Sequence, residues 1–327
     1  MTDFRLLTAT DEPDVAVLLH EALLKRPNDT DFGMGAFENG VLIGCAFIKG
    51  DMIQGLAVKS DQQGEGVSAQ LVSKTVKRAM KNGIRHLKII TKPEMAPRIE
   101  ALGFRLVASA QPYAAFLEFG SHGIEEYLSK LQSVAENKPL PRAAIVMNAN
   151  PFTLGHLALI QRAASECCWV FVIVVEEDVS EISYPDRLQM VKAGTAHLDN
   201  VSVLGGGDYC VSRATFPSYF TKEDDLAAAQ SALDSAVFAE KIAPALGVSR
   251  RYIGTEPMST VTEQYNRALK DQLPKSGIEP IEIPRIQSGS ASISASRVRA
   301  LLKSGDFASI EPLVPFSTYA FLREMRS

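Results

Sequence analysis

"MNANPFTLGHLALI" occupies residues 147–160, and its reading decides the fold of the second half of the chain. The run Ala143–Ala149 has the length of a buried strand, and from Gly155 onward apolar residues recur at helical spacing. "NPFTLG" therefore becomes a loop at the carboxyl end of a strand, feeding a helix start. The N–H groups and dipole of a helix start attract anions, phosphates above all. Pro151 stiffens the turn, Gly155 lets backbone approach a ligand closely, and His156 in the first helical turn is able to donate a hydrogen bond to a phosphate oxygen. Taken alone, the stretch also permits a simpler reading, in which Thr153 caps the helix and His156 is an ordinary polar residue at its start.

Outward from this stretch, strands are expected at Ala143–Ala149, Trp169–Glu176, Val201–Leu204, Arg251–Gly254 and Pro280–Ile286. Helices are expected near 155–166, 185–196, 222–245, 260–271 and 294–303. Such β/α alternation predicts a mostly parallel sheet with helices on both faces, with ligands at the carboxyl ends of its strands. A second motif, "SGSASISASRVRALL", places serine at every second position from Ser288 to Ser296, followed by Arg297 and Arg299. A serine-rich loop opening a helix offers hydroxyls, backbone N–H groups and a guanidinium fork to one anion; a flexible linker with a solvated arginine face is the alternative. Two anion-binding helix starts in one domain suggest a triphosphate.

"TLGH" resembles the T/HxGH signature, and "ISASRVR" the ISxSxxR signature, of the nucleotidylyltransferase superfamily, in the same order and about 140 residues apart. The resemblance implies a Rossmann-like fold that binds ATP. Thr153 and His156 would contact its phosphates, with Ser294, Ser296 and Arg299 closing from the other side and Arg297 turned differently around the helix. Together with these motifs, "VVEEDVSEISYPDRLQMVKAG", "GGDYCVSRATFPSYF" and "YIGTEPMSTVTEQYN" look like the citrate lyase ligase family, over nearly the whole chain. That resemblance implies Mg²⁺ and ATP, an acetyl-adenylate formed from acetate, and transfer of the acetyl group to the thiol of a CoA-derived prosthetic group on the acyl carrier subunit of citrate lyase. Asn148, Asn150, Pro151, Phe152, Gly155, Gly254, Thr255 and Glu256 would complete the ATP site. Arg187 either reaches a phosphate or makes a structural salt bridge. The acetate pocket is assigned only to the neighbourhood of "GGDYCVSRATFPSYF", and no metal ligand is identified. Two other readings stand beside this one: an adenylyltransferase of cofactor biosynthesis acting on a phosphopantetheine or nicotinamide nucleotide, and a nucleotide- or acyl-CoA-sensing regulator.

The first 120 residues follow a different grammar, an α+β one. Asn39-Gly40 between apolar runs signals a hairpin, and Val67, Leu71, Val72, Val76 and Met80 recur at helical spacing up to a stop at Asn82-Gly83. "LAVKSDQQGEGVSAQLVSKTVKRAMKNG" with "APRIEALGFRLV" resembles the CoA-binding core of GNAT-type acetyltransferases, Gly64 and Gly66 matching the glycine loop. Two positions depart from that family: Asp61 stands where Arg or Gln is usual, and Ile99 where a tyrosine acid is common. Ile99 has no proton to give, so a docking place for the CoA-like arm is expected rather than acetyl transfer, with a purely structural role as the alternative. Residues 121–141, ending in Lys138-Pro139-Leu140-Pro141, read as a connector, which sets the domains at 1–120 and 142–327.

The totals agree with two soluble domains. The chain has 327 residues, 46% hydrophobic and 22% charged, and a net charge of −4 from 34 basic and 38 acidic side chains. No basic field exists to hold a nucleic-acid backbone. "MTDFRLLTATDEPD" lacks the pattern of a signal peptide, and the longest apolar run, "WVFVIVV" (169–175), is strand-sized, so a cytosolic location away from membranes is expected. Cys45, Cys167, Cys168 and Cys210 show no zinc-like spacing and read as small buried hydrophobes.

Overall fold

The computed structural model describes the chain except residues 1, 63–65, 177–179, 212–215, 217–222, 256–259, 285–286, 289–290 and 326–327. It forms two compact units: Met1–Tyr127 together with Phe216–Ala236, and Leu128–Thr215 together with Val237–Ser327.

The first unit is built on a seven-stranded sheet of β1 (Asp3–Leu6), β2 (Phe32–Glu38), β3 (Val41–Lys49), β4 (Met52–Val58), β5 (His86–Thr91), β6 (Arg105–Ala110) and β7 (Ala114–Gly120), in the order β1-β2-β3-β4-β5-β7-β6. Asn39 (φ 50°) and Gly40 (φ 81°) turn β2 into β3, both in the left-handed region that the Asn-Gly pair tolerates. Helices α1 (Glu12–Glu21), α2 (Val67–Lys81) and α3 (Ala96–Glu100) accompany the sheet. The apolar stripe expected of α2 is the one it buries, through Val67, Leu71, Val72 and Val76, whereas Met80 is exposed. The parallel pair β4 and β5 is joined only at Met52↔Lys88 and Ile53↔Ile89, and the two strands do not pair with each other beyond these positions. Ile99 on α3 is buried in the core with Phe104 and Leu117.

After α4 (Ile124–Ala135), the second unit holds five parallel strands: β8 (Arg142–Met147), β9 (Trp169–Val174), β10 (Val201–Gly205), β11 (Arg250–Gly254) and β12 (Glu279–Ile283). Their order, β10-β9-β8-β11-β12, is that of a Rossmann-like sheet, whose winding reverses between the first and fourth strands. Helices α5 (Leu154–Glu166), α6 (Tyr184–Thr195), α7 (Glu223–Val237), α8 (Ala243–Leu246), α9 (Thr260–Gln272), α10 (Ala295–Ser304), α11 (Phe307–Ile310) and α12 (Phe316–Glu324) complete the chain. Each strand lies within a few residues of its expected span. The long helix expected near 222–245 is broken, α7 giving way to a π-turn at Phe238–Ile242 before α8, and its residues up to Ala236 cluster with the first unit. The serine-rich segment holds a short hairpin, Gln287–Ser288 against Ala291–Ser292, before α10 begins.

β8 pairs with β9 at six positions and β9 with β10 at five, but β8 meets β11 only at Ala143↔Arg250 and Ala144↔Arg251. Beyond those residues no ladder bond joins the two strands. Among the described residues no helix is long and apolar enough to cross a membrane. All four cysteines are free; Cys45, Cys167 and Cys210 are buried, and Cys168, expected inside, is exposed.

Gly194 in the last turn of α6 shows how tightly the loop after β8 is packed. A Cβ there would lie 2.5 Å from the ring of Phe152, which is fully buried and has nowhere to move. Gly194→Ala should therefore cost about 1–3 kcal/mol through overpacking, a fall in unfolding midpoint of roughly 2–4 °C per kcal/mol for a unit of this size. A wild-type melting curve for that variant would contradict this packing.

Candidate functional site

Where β8 and β11 part, their carboxyl ends open into a cavity of about 550 Å³ lined by residues of both sequence motifs. Thr153 is buried and caps α5: its Oγ1 accepts the His156 N–H at 3.4 Å, and its own N–H donates to His156 Nδ1 at 3.1 Å. This is a capping box with histidine in the place usually held by Glu or Gln. A backbone N–H can only donate, so Nδ1 is the accepting nitrogen and the proton of the neutral ring sits on Nε2. The ring also stacks on Phe152, with centroids 5.9 Å apart and planes at 12°. His156 is thus held in orientation from two sides and carries an N–H donor on a cavity wall.

The second helix start faces the first. Ser294 caps α10, accepting the Arg297 N–H at 3.2 Å, with the Ser296 hydroxyl 3.1 Å away. Arg299, one turn further, donates from Nη1 to the carbonyl of Asn150, 149 residues earlier, at 2.5 Å, tying the two motifs together. Its Nε lies 3.5 Å from Glu181, whose carboxylate also takes Lys303 at 2.9 Å. The Lys303 hydrogen bond, together with the Lys303 and Arg299 charges, holds the Glu181 carboxyl below the usual carboxylate range.

The loop between these points is over-determined. Ala149, buried, adopts φ 50°, a left-handed conformation that costs a non-glycine residue ~1–2 kcal/mol. Asn150 is only 9% exposed, and its Oδ1 has no hydrogen-bond partner among the described residues. A buried orphan acceptor costs about 1–3 kcal/mol, so the position is kept at a cost to stability. Arg187 is fully buried, and its Nε and Nη1 donate to carbonyl and amide oxygens: Ile182 at 3.1 Å, the Asn148 carbonyl and Oδ1 at 2.6 Å each, and Val175 at 2.9 Å. It lies off the cavity wall and fixes Asn148, which is on it. Next to Arg187, the Tyr184 hydroxyl is pushed up to about 12 by burial and by the Glu176 charge.

Two family models match. Residues 142–322 fit the citrate lyase ligase C-terminal domain, and residues 3–104 fit the acetyltransferase (GNAT) family. The chain is 37% identical to a citrate (pro-3S)-lyase ligase of Klebsiella pneumoniae, over 87% of this chain and 84% of that one. With a namesake from Escherichia coli K12 it shares 36% identity, over 95% and 90%. The chain belongs to the citrate lyase ligase family. Among solved structures, the ribosomal-protein-S18-alanine N-acetyltransferase of Escherichia coli matches 37% of this chain and 94% of its own, at 19% identity and a TM-score of 0.32.

Against the residues expected of a ligase from its sequence, the cavity wall collects Asn148, Asn150, Thr153, Gly155, His156, Gly254, Ser294, Ser296 and Arg299. Pro151, Phe152, Arg187, Thr255 and Arg297 are not on it. Phe152 backs His156, Thr255 donates its N–H to the Ile283 carbonyl at 3.0 Å, and Arg297 supplies the capped N–H of α10. Glu256 and Gly64 lie outside the described residues. Gly66, at φ 78°, precedes α2 in the first unit. Polar wall residues that the sequence reading does not assign to the site include Arg251, Tyr265 and Asn266. Arg251, 1% exposed, donates to the Tyr265 hydroxyl at 2.7 Å, and Asn266 donates to the Gly254 carbonyl at 2.9 Å. A charged residue inside the strand "RRYIG" was the available signal for the first.

Thr153→Ala removes both the cap and one restraint on the imidazole. It should cost about 1 kcal/mol of stability and lower activity beyond what that loss explains, while Thr153→Ser, which keeps the hydroxyl, should restore most of both. Thermal melts paired with activity assays separate the two effects; Ser and Ala variants behaving alike would remove the hydroxyl from the site.

Proposed function

We propose that this ligase uses ATP to acetylate the thiol of the CoA-derived prosthetic group on the acyl carrier subunit of citrate lyase, in the cytoplasm, and thereby activates the lyase. The observation that carries the reading is the convergence of two capped helix starts and the Arg299 guanidinium on one cavity at the reversal point of a parallel sheet.

The reaction runs in two steps. An acetate oxygen attacks the α-phosphorus of ATP, and the bond to the bridging oxygen breaks, its electron pair leaving with diphosphate. The carrier thiolate then attacks the acetyl carbonyl of the adenylate, forming the thioester and expelling AMP. The first step asks the protein to position the phosphates and offset their charge rather than to supply a nucleophile. His156 Nε2–H, the α5 and α10 starts, Ser294, Ser296 and Arg299 suit that work. Gly155 leaves room for it: an added Cβ would meet nothing closer than 3.5 Å, so its absence favours a ligand's approach over internal packing. Mg²⁺ is a different matter. The described cavity wall offers a hard cation amide and hydroxyl oxygens and no carboxylate, which does not amount to a resident divalent site.

The first domain, taken as 1–120, would dock the arm of the prosthetic group at the start of α2 and between the parted strands β4 and β5, bringing the thiol to the adenylate. Buried Ile99 leaves that arm without a proton donor at its position, in keeping with docking rather than a second acetyl transfer. An adenylyltransferase or a sensor is set aside, because the named relatives that align along 87% and 95% of the chain are ligases.

His156→Ala and Arg299→Ala should each slow acetate-dependent ATP–pyrophosphate exchange by ~10²–10³, by analogy with lost oxyanion-hole donors, with the fold intact by circular dichroism. Exchange at the wild-type rate in either variant would remove that residue from the phosphate site. Ser68→Asp, which puts a carboxylate in the first turn of α2 where a helix tolerates it, should slow acetylation of the carrier subunit several-fold and leave exchange unchanged. Equal loss of both activities would reject the docking role.

A further inference from the structure

Glu181 belongs to neither motif and is not on the cavity wall, yet it holds the cation that both motifs share. Arg299 and Lys303 are four residues apart on α10, hence on one face of the helix. Both reach the Glu181 carboxylate, Lys303 at 2.9 Å and Arg299 through Nε at 3.5 Å. The Arg299 Nη1 meanwhile donates to the Asn150 carbonyl at 2.5 Å. A guanidinium is planar, with its donors in a rigid fork. Fixing the Nε edge and one Nη tip therefore sets the plane and the direction of the remaining N–H groups.

The segment carrying Glu181 is itself held near the first motif. The Ser180 hydroxyl lies 3.4 Å from the side chain of Asn148, and Arg187 clamps that same Asn148. We infer that Glu181 is a positioning residue, which holds the Arg299 guanidinium against the Asn150 carbonyl so that it meets the nucleotide's phosphates already oriented. This assignment rests on the nucleotide reading of the cavity. A carboxylate that merely occupied Arg299 until phosphate arrived would depend on Arg299 for its place. Glu181 has its shorter contact with Lys303, so it stays when Arg299 engages a ligand.

The test uses the full chain and a double-mutant cycle, read by acetate-dependent ATP–pyrophosphate exchange and by calorimetric ATP binding. Glu181→Gln should lower the exchange kcat roughly fivefold, the upper end for a partly exposed ion pair, with little change in the KM for ATP and an unchanged melting temperature. In an Arg299→Ala background the same substitution should cost nothing further, because Glu181 acts through that arginine. Glu181→Asp, which keeps the charge, should recover most of the loss. An equal fractional loss in both backgrounds overturns the assignment, as does tighter ATP binding by Glu181→Gln, which would make the carboxylate a competitor. A wild-type chain that binds no ATP overturns the nucleotide reading and this assignment with it; ATP binding with independent effects of the two substitutions overturns the assignment alone.

Discussion

Past Ala144 and Arg251 the first and fourth strands of the second unit's parallel sheet no longer pair, and the cavity exists because they part. Strand backbone released from a ladder still needs partners, and other elements supply them. The Gly254 carbonyl accepts from the Asn266 side chain, while on their other edges β8 and β11 keep their ladders to the end, the Met147 carbonyl accepting the Val175 N–H at 3.0 Å and the Thr255 N–H going to Ile283. The start of α5, which follows β8, and the start of α10, which comes after β12, both line the space between the parted ends. The winding of the sheet dictates this: its sense reverses between β8 and β11, so the connections diverge there and leave the carboxyl edge uncovered.

Onto that opening the chain places interactions that serve structure and chemistry together. The Thr153–His156 capping box satisfies N–H groups at the start of α5, and the same geometry puts the imidazole proton on Nε2. Phe152 fills the core beside Gly194 and is also the surface on which His156 stacks. Arg187 answers carbonyls of three loop residues and holds Asn148. Against these gains stand a left-handed Ala149 and an orphaned Asn150 oxygen, costs that concentrate on the cavity wall. The loop is rigid where a ligand needs fixed donors, and strained where a fold without ligand would not be.

The first unit repeats the device in another fold. Its one parallel pair among the described residues, β4 and β5, is joined by two residue pairs and then separates. The apolar stripe of α2 closes the core beside these strands, while its start follows a positive-φ glycine, Gly66. A chain of this kind has two parallel-strand openings, each beside a helix start, and in the proposed reaction one holds the nucleotide and the other the carrier's arm. Because residues 216–236 cluster with the first unit, cutting the chain near residue 120 would strip that unit of a helix rather than release it whole.

The strands, the caps and the pairing of the two signatures were legible in the residues, because hydrophobic period, turn chemistry and capping act over a few positions. β8 to β12 are where the alternation of apolar runs puts them, and Thr153, His156, Ser294 and Arg299 meet as the motifs implied. What a residue does when its partner lies far along the chain was not legible. Arg187 looked equally like a phosphate ligand or a structural cation, and only the fold shows the carbonyls of Ile182, Asn148 and Val175 within its reach. Asn266 has no local signature, and Arg251 only the oddity of a charge within a strand; both join the wall because β11 lies next to β8. Glu181 lies 118 residues before Arg299, and no spacing rule links them. Local sequence determined which elements form and which ends attract anions; tertiary structure alone decided which side chains share one cavity, since that depends on strand order and on where two strands cease to pair.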